Sequence, residues 1–195
     1  MEQQQSGPQN ESPYFGIFLA LLMRGLCSTV EVFLHKSDSF GERYSGMQVG
    51  VGFLLILFYP AFFWHGYDLN GLFILLLLYV CMLMWIRLKT FLRVRRGESQ
   101  PHTLYAGTPR IMRFAWRFKE ETVKCTIEPI LTIFFGLFIA EFLDEPLGAF
   151  LMIAGSALFA TTNLAAGDER RKVMRMHDSF IEQQSVIDGY KKSRK

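Results

Sequence analysis

Residues 71–91 read GLFILLLLYVCMLMWIRLKTF. From Leu72 to Ile86 there is no charged side chain, and the run then meets Arg87, Lys89, Arg93, Arg95 and Arg96. A helix rises about 1.5 Å per residue, so roughly twenty residues cross a hydrocarbon core. The charge-free run is a little short, but Arg87 and Lys89 can carry their charged tips to the headgroups on long apolar stems. Tyr79 and Trp85 are amphipathic rings of the kind enriched at such boundaries. A buried helix of a soluble protein would account for this stretch alone, but not for three further segments of the same character.

Those segments are residues 46–64, 127–143 and 147–163. The first is charge-free and holds Gly46, Gly50 and Gly52, a GxxxG spacing plus one more small position; such spacing lets a second helix approach closely. Pro60 marks a bend or an end near an interface. Pro129 lies near the start of 127–143, where a missing amide proton is tolerated. In 147–163 the small packing positions are Gly148, Gly155, Ser156 and Ala160. The expected fold is therefore an all-α integral membrane protein with four transmembrane helices in two hairpins, 46–91 and 125–165.

Charge sets the expected orientation. The turns at 65–70 and 144–146 carry Asp68, Asp144 and Glu145 and no Lys or Arg. Between Leu88 and Lys124 nine Lys and Arg oppose three Glu. By the positive-inside rule the turns face out and the basic loop, 92–124, faces the cytoplasm, as does the C-terminus. A bacterial inner membrane suits this asymmetry. Arg93, Arg95, Arg96, Arg110, Arg113 and Arg117 are the expected lipid-headgroup contacts, and 110–124 is read as a basic amphipathic helix lying on the membrane.

The two ends read differently. Residues 1–13 are expected to be a disordered polar tail, without the basic region of a signal peptide. In 14–36, Phe15, Phe18, Leu19, Leu22, Leu26, Val30, Phe33 and Leu34 recur at helical spacing, but Arg24 and Glu31 interrupt the apolar face. An interfacial or half-inserted amphipathic helix is expected there, with a full span carrying an Arg24–Glu31 pair as the alternative. Residues 168–195 form a cytoplasmic amphipathic helix and basic tail. Val173, Met176, Phe180, Gln183, Ile187 and Tyr190 make a short heptad seam there, too short to associate without a partner or a surface.

Chemical signatures are sparse. Cys27, Cys81 and Cys125 are widely separated, and His35, His65, His102 and His177 are dispersed. No nucleophile elbow, phosphate loop or ligand cluster is present, so neither a cofactor nor a metal is expected, nor is enzymatic activity. Arg24, Glu31, Glu128 and Glu141 are the polar residues placed in or beside spans, where ionisable groups are costly. The expected partners are the lipid bilayer and other membrane subunits or further copies of the chain, not nucleic acid. The expected role is a non-catalytic subunit or scaffold of a multi-protein membrane assembly, of secretion or translocation type. A small oligomeric channel or transporter is the alternative. A lipid-modifying enzyme using His102 and Tyr105 is the third reading.

Overall fold

The computed structural model describes residues 13–37, 40, 46–63, 66–97, 107–113 and 117–193, without the side chains of residues 13, 185 and 188–193. Among the described residues the chain is 88% helical, with no strand. The elements are α1 (Pro13–Leu34), α2 (Met47–Phe63), α3 (Asn70–Arg96), a 3-10 turn (Arg110–Arg113), α4 (Glu120–Thr122), a π turn (Val123–Ile127), α5 (Glu128–Phe142) and α6 (Glu145–Ser193). Four helices are long and apolar enough to cross a membrane: Tyr14–Leu34, Asn70–Arg96, Glu120–Phe142 and Glu145–Gln184.

This set differs from the expected one on its N-terminal side. Helix α2, with 17 residues, is a shorter apolar helix, about 25 Å at the helical rise and at the lower limit of length for a span. Helix α1 is long and apolar enough to cross, and its C-terminal half is deeply packed, with Gly25, Cys27, Ser28, Thr29, Val30 and Val32 buried, as is His35 just beyond it. The packed residues are the small and polar ones between the large apolar side chains; Phe15, Phe18 and Leu19 lie outside. Small residues let backbones approach. A Cβ on Gly52 would lie 2.7 Å from Ser28 Oγ, 2.8 Å from Gly25 O and 2.9 Å from Tyr79 Oη. At this junction of α1, α2 and α3 the Tyr79 hydroxyl donates to Val49 O (3.2 Å) and lies 3.2 Å from Ser28 Oγ. Tyr79, read from sequence as a boundary ring, is fully buried.

The expected interfacial helix over 110–124 is not one helix. Residues 110–113 form a single 3-10 turn, and a continuous helix begins only at Glu120 and runs through to Phe142. Pro129 therefore sits well inside a helix. It has no N–H for the carbonyl of Cys125, which should cost the helix a hydrogen bond. The π turn falls on the residues just before it, and Asn163 Nδ2 of α6 donates to Cys125 O at 3.2 Å in place of the missing amide.

Helices α5 and α6 run antiparallel. Cβ atoms on Gly136, Gly148 and Gly155 would press on Met152 N, the Ala140 backbone and Ile133 respectively. Asp144, between the two helices, caps two of them. Its Oδ1 accepts from Leu147 N (2.9 Å) in the first turn of α6, and its Oδ2 accepts from Gly71 N (3.0 Å) in the first turn of α3. Helix α3 has no side-chain cap of its own. Asp144→Ala is expected to destabilise the bundle by about 1–2 kcal/mol, because two orphan N–H groups lose one acceptor. A denaturant titration in detergent measures it; an unchanged midpoint would mean that water replaces the carboxylate without loss.

Beyond the bundle, α6 does not stop at Gly167. The expected break between a span and a separate C-terminal helix is absent, and one helix of 49 residues continues to Ser193. A lone glycine costs a helix interior only about 1 kcal/mol, which good helix formers on both sides offset.

Candidate functional site

The C-terminus of α1 holds His35, which is 2% exposed, and the start of α5 holds Glu128, which is 1% exposed. Their side chains meet, with His35 Nε2 at 2.9 Å from Glu128 Oε2. Glu128 Oε1 is buried and has no hydrogen-bond partner among the described residues. Burying a carboxylate is costly unless it is paired, so this contact constrains how α1 packs on α5.

Three features position the pair. Helix α1 ends at Leu34, and the His35 amide still donates to Glu31 O at 2.9 Å, which holds the imidazole in helical register. The π turn immediately precedes Glu128 and shifts its register relative to Glu120 and Glu121. Thr132, one turn later, donates its hydroxyl to Glu128 O at 2.8 Å. The segment 107–113 then closes over the end of α1. Gly107 adopts φ +93°, a left-handed conformation that glycine alone takes without strain. Lys36 N donates to Thr108 O (2.9 Å), Pro109 bridges to His35, and Arg110 Nε donates to His35 O (2.9 Å). Phe40 is buried, its ring centroid 6.1 Å from that of His35, and Arg93 Nη1 reaches Phe40 O at 3.5 Å.

Chemically, one imidazole and one carboxylate can share or relay a proton, or simply lock α1 to α5. Among the described residues no group of three His, Cys, Asp or Glu side chains converges as metal ligands would.

The residues singled out from sequence are spread over the molecule. Arg24 is exposed on α1 and Glu31 half-buried; Glu141 is exposed near the end of α5, and of the four only Glu128 is buried. Gly46 and Gly50 are exposed, and nothing lies within 4 Å of a Cβ on Gly50. Gly52, Gly148 and Gly155 are in tight contacts, Ala160 is half-buried, and Ser156 is exposed with its hydroxyl on Met152 O. Gly25 and Gly136, not singled out, are packed closely too: a Cβ would lie 2.6 Å from Val51 Cγ1 and 2.9 Å from Met152 N respectively. Val173, Met176, Phe180, Gln183 and Ile187 are exposed on α6; the Tyr190 side chain lies outside the described residues. Arg93 is half-buried, while Arg95, Arg96, Arg110, Arg113 and Arg117 are exposed. His65, His102 and Tyr105 lie outside the described residues.

Sequence reasoning counted His35 among dispersed histidines and placed Glu128 in or beside a span. The two are 93 positions apart. The one available signal was that each lies beside an apolar helical segment. Comparison with protein-family models, curated proteins and solved structures finds no match for the chain.

Proposed function

We propose that the protein is a non-catalytic integral membrane subunit whose bundle sits in the bilayer and whose α6 arm engages another protein on the cytoplasmic side. The observation that carries this is the arm itself. The last contact of α6 with the bundle is Arg170 on Glu121 at 3.1 Å among the described residues, and the helix runs about 35 Å further at the helical rise. Along it Val173, Met174, Met176, Phe180, Ile181 and Ile187 are all exposed. A solvated helix seldom keeps so many apolar side chains without something to cover them. Membrane embedding is supported by the four long apolar helices and by their exposed large side chains, such as Phe73, Leu77, Phe134 and Phe138. The basic surplus between Leu88 and Lys124 assigns that side to the cytoplasm.

The test is mild-detergent extraction of the tagged full chain followed by native mass analysis, beside a chain ending at Gly167. Stoichiometric companions that disappear on truncation, with the bundle still folded, are the expected result. A lone monodisperse protomer in both cases would sink the reading. A closed homo-oligomer without companions would turn it toward the channel, with Arg24 and Glu141, both on the outer surface, lining a shared path.

A further inference from the structure

A cleft of about 530 Å³ lies between α1, α3, α5 and α6. Leu34, Leu78, Leu131, Phe135 and Leu151 line it, and Ile111 of the 3-10 turn reaches into one end. Its walls are almost wholly apolar, and Thr132, the one hydroxyl among its lining residues, is turned to Glu128 O. The volume matches one long acyl chain.

The end of the cleft marked by Ile111 is basic. In a 3-10 helix side chains three residues apart eclipse one another, so Arg110 and Arg113 project on the same side of the turn. Arg110 is anchored through Nε to His35 O at 2.9 Å, and its two terminal nitrogens have no hydrogen-bond partner among the described residues. A guanidinium fixed by one N–H, with its remaining fork open, is a ready phosphate ligand. The opposite end, where Gly71 and Leu147 line the cleft, meets the Asp144 carboxylate. One end thus attracts a phosphate and the other repels it.

We propose that this cleft holds an acyl chain of one anionic glycerophospholipid from the surrounding bilayer, with its phosphate on Arg110 and Arg113. Hydrocarbon gains little by leaving other lipid tails for an apolar cleft, so the headgroup contacts supply the selectivity. The inference rests on the bundle lying in a bilayer, as proposed above.

The experiment reconstitutes the full wild-type chain into phosphatidylcholine vesicles carrying a phosphatidylglycerol probe with a photoactivatable acyl chain, and maps the labelled residues. Labelling should concentrate on Leu78, Leu131 and Phe135 over Phe134 and Phe138, which face away on α5. A phosphatidylcholine probe of the same chain carries the same phosphate, but Arg110 and Arg113 repel its quaternary ammonium, so it should label the cleft about tenfold less. Arg110→Gln with Arg113→Gln should bring the two probes level. Equal labelling of Leu131 and Phe134, or equal cleft labelling by both probes in the wild type, overturns the proposal while leaving membrane embedding intact. A chain that does not enter vesicles overturns both.

Discussion

His35→Leu is expected to destabilise the bundle by about 3–5 kcal/mol, the cost of leaving a buried charge without its partner. The Glu128 carboxylate would keep neither of its oxygens satisfied, because Oε1 already lacks a hydrogen-bond partner among the described residues and Oε2 would lose His35 Nε2. Glu128→Leu should cost less, about 1–3 kcal/mol, since it strands a single imidazole nitrogen. The double variant, with leucine at both positions, should recover most of the loss, as buried ion pairs replaced by apolar groups of similar size often do. Denaturant titrations of the four proteins in one detergent form a double-mutant cycle, and a coupling energy of several kcal/mol is expected. Additive losses, or a His35→Leu protein as stable as wild type, would show that the contact holds nothing together.

Gly148→Leu is expected to cost about 3 kcal/mol or more, and even Gly148→Ala a substantial part of that. A Cβ at Gly148 would press on the N, Cα and Cβ of Ala140, and backbone cannot move aside as a flexible side chain can. Gly50→Ala is the matched control, because nothing lies within 4 Å of its Cβ. It should be neutral or stabilise by up to about 1 kcal/mol through helix propensity. Stability and oligomeric state should be read on the same samples. If the open Gly46/Gly50 face meets another subunit, Gly50→Ala will weaken association while leaving the unfolding midpoint in place. Equal stability losses from Gly148→Ala and Gly50→Ala would show that close packing at α5–α6 is not what the glycines serve.

The contrast between these glycines indicates how far sequence reasoning reaches. GxxxG at Gly46 and Gly50 is the more recognisable pattern, yet Gly25, Gly52, Gly136, Gly148 and Gly155 are the glycines in close contact between helices. Spacing shows that a close approach is allowed. It does not show which helix approaches. The same limit applied to α1, where Arg24 and Glu31 made the segment look unfit for the interior. In the structure Arg24 is exposed, and it is Gly25, Cys27, Ser28, Thr29 and Val32 that are buried. Position along a helix was legible, but the direction of burial was not, because an apolar solvent lets large side chains face outward and small ones inward.

Sequence by itself determined the helical class, the long apolar segments at 71–91, 127–143 and 147–163, the acidic turn at 144–146 and the basic surplus between Leu88 and Lys124. These follow from local composition, hydropathy and charge, which need no knowledge of neighbours. Only the tertiary structure decided that α1 belongs to the core, that Asp144 caps α3 as well as α6, that Asn163 serves the carbonyl Pro129 leaves open, and that His35 meets Glu128. Each of these joins residues far apart in the chain, and a buried polar group's partner is set by which helices pack together. That choice is made by the shape of whole helix faces, which no single stretch of sequence contains.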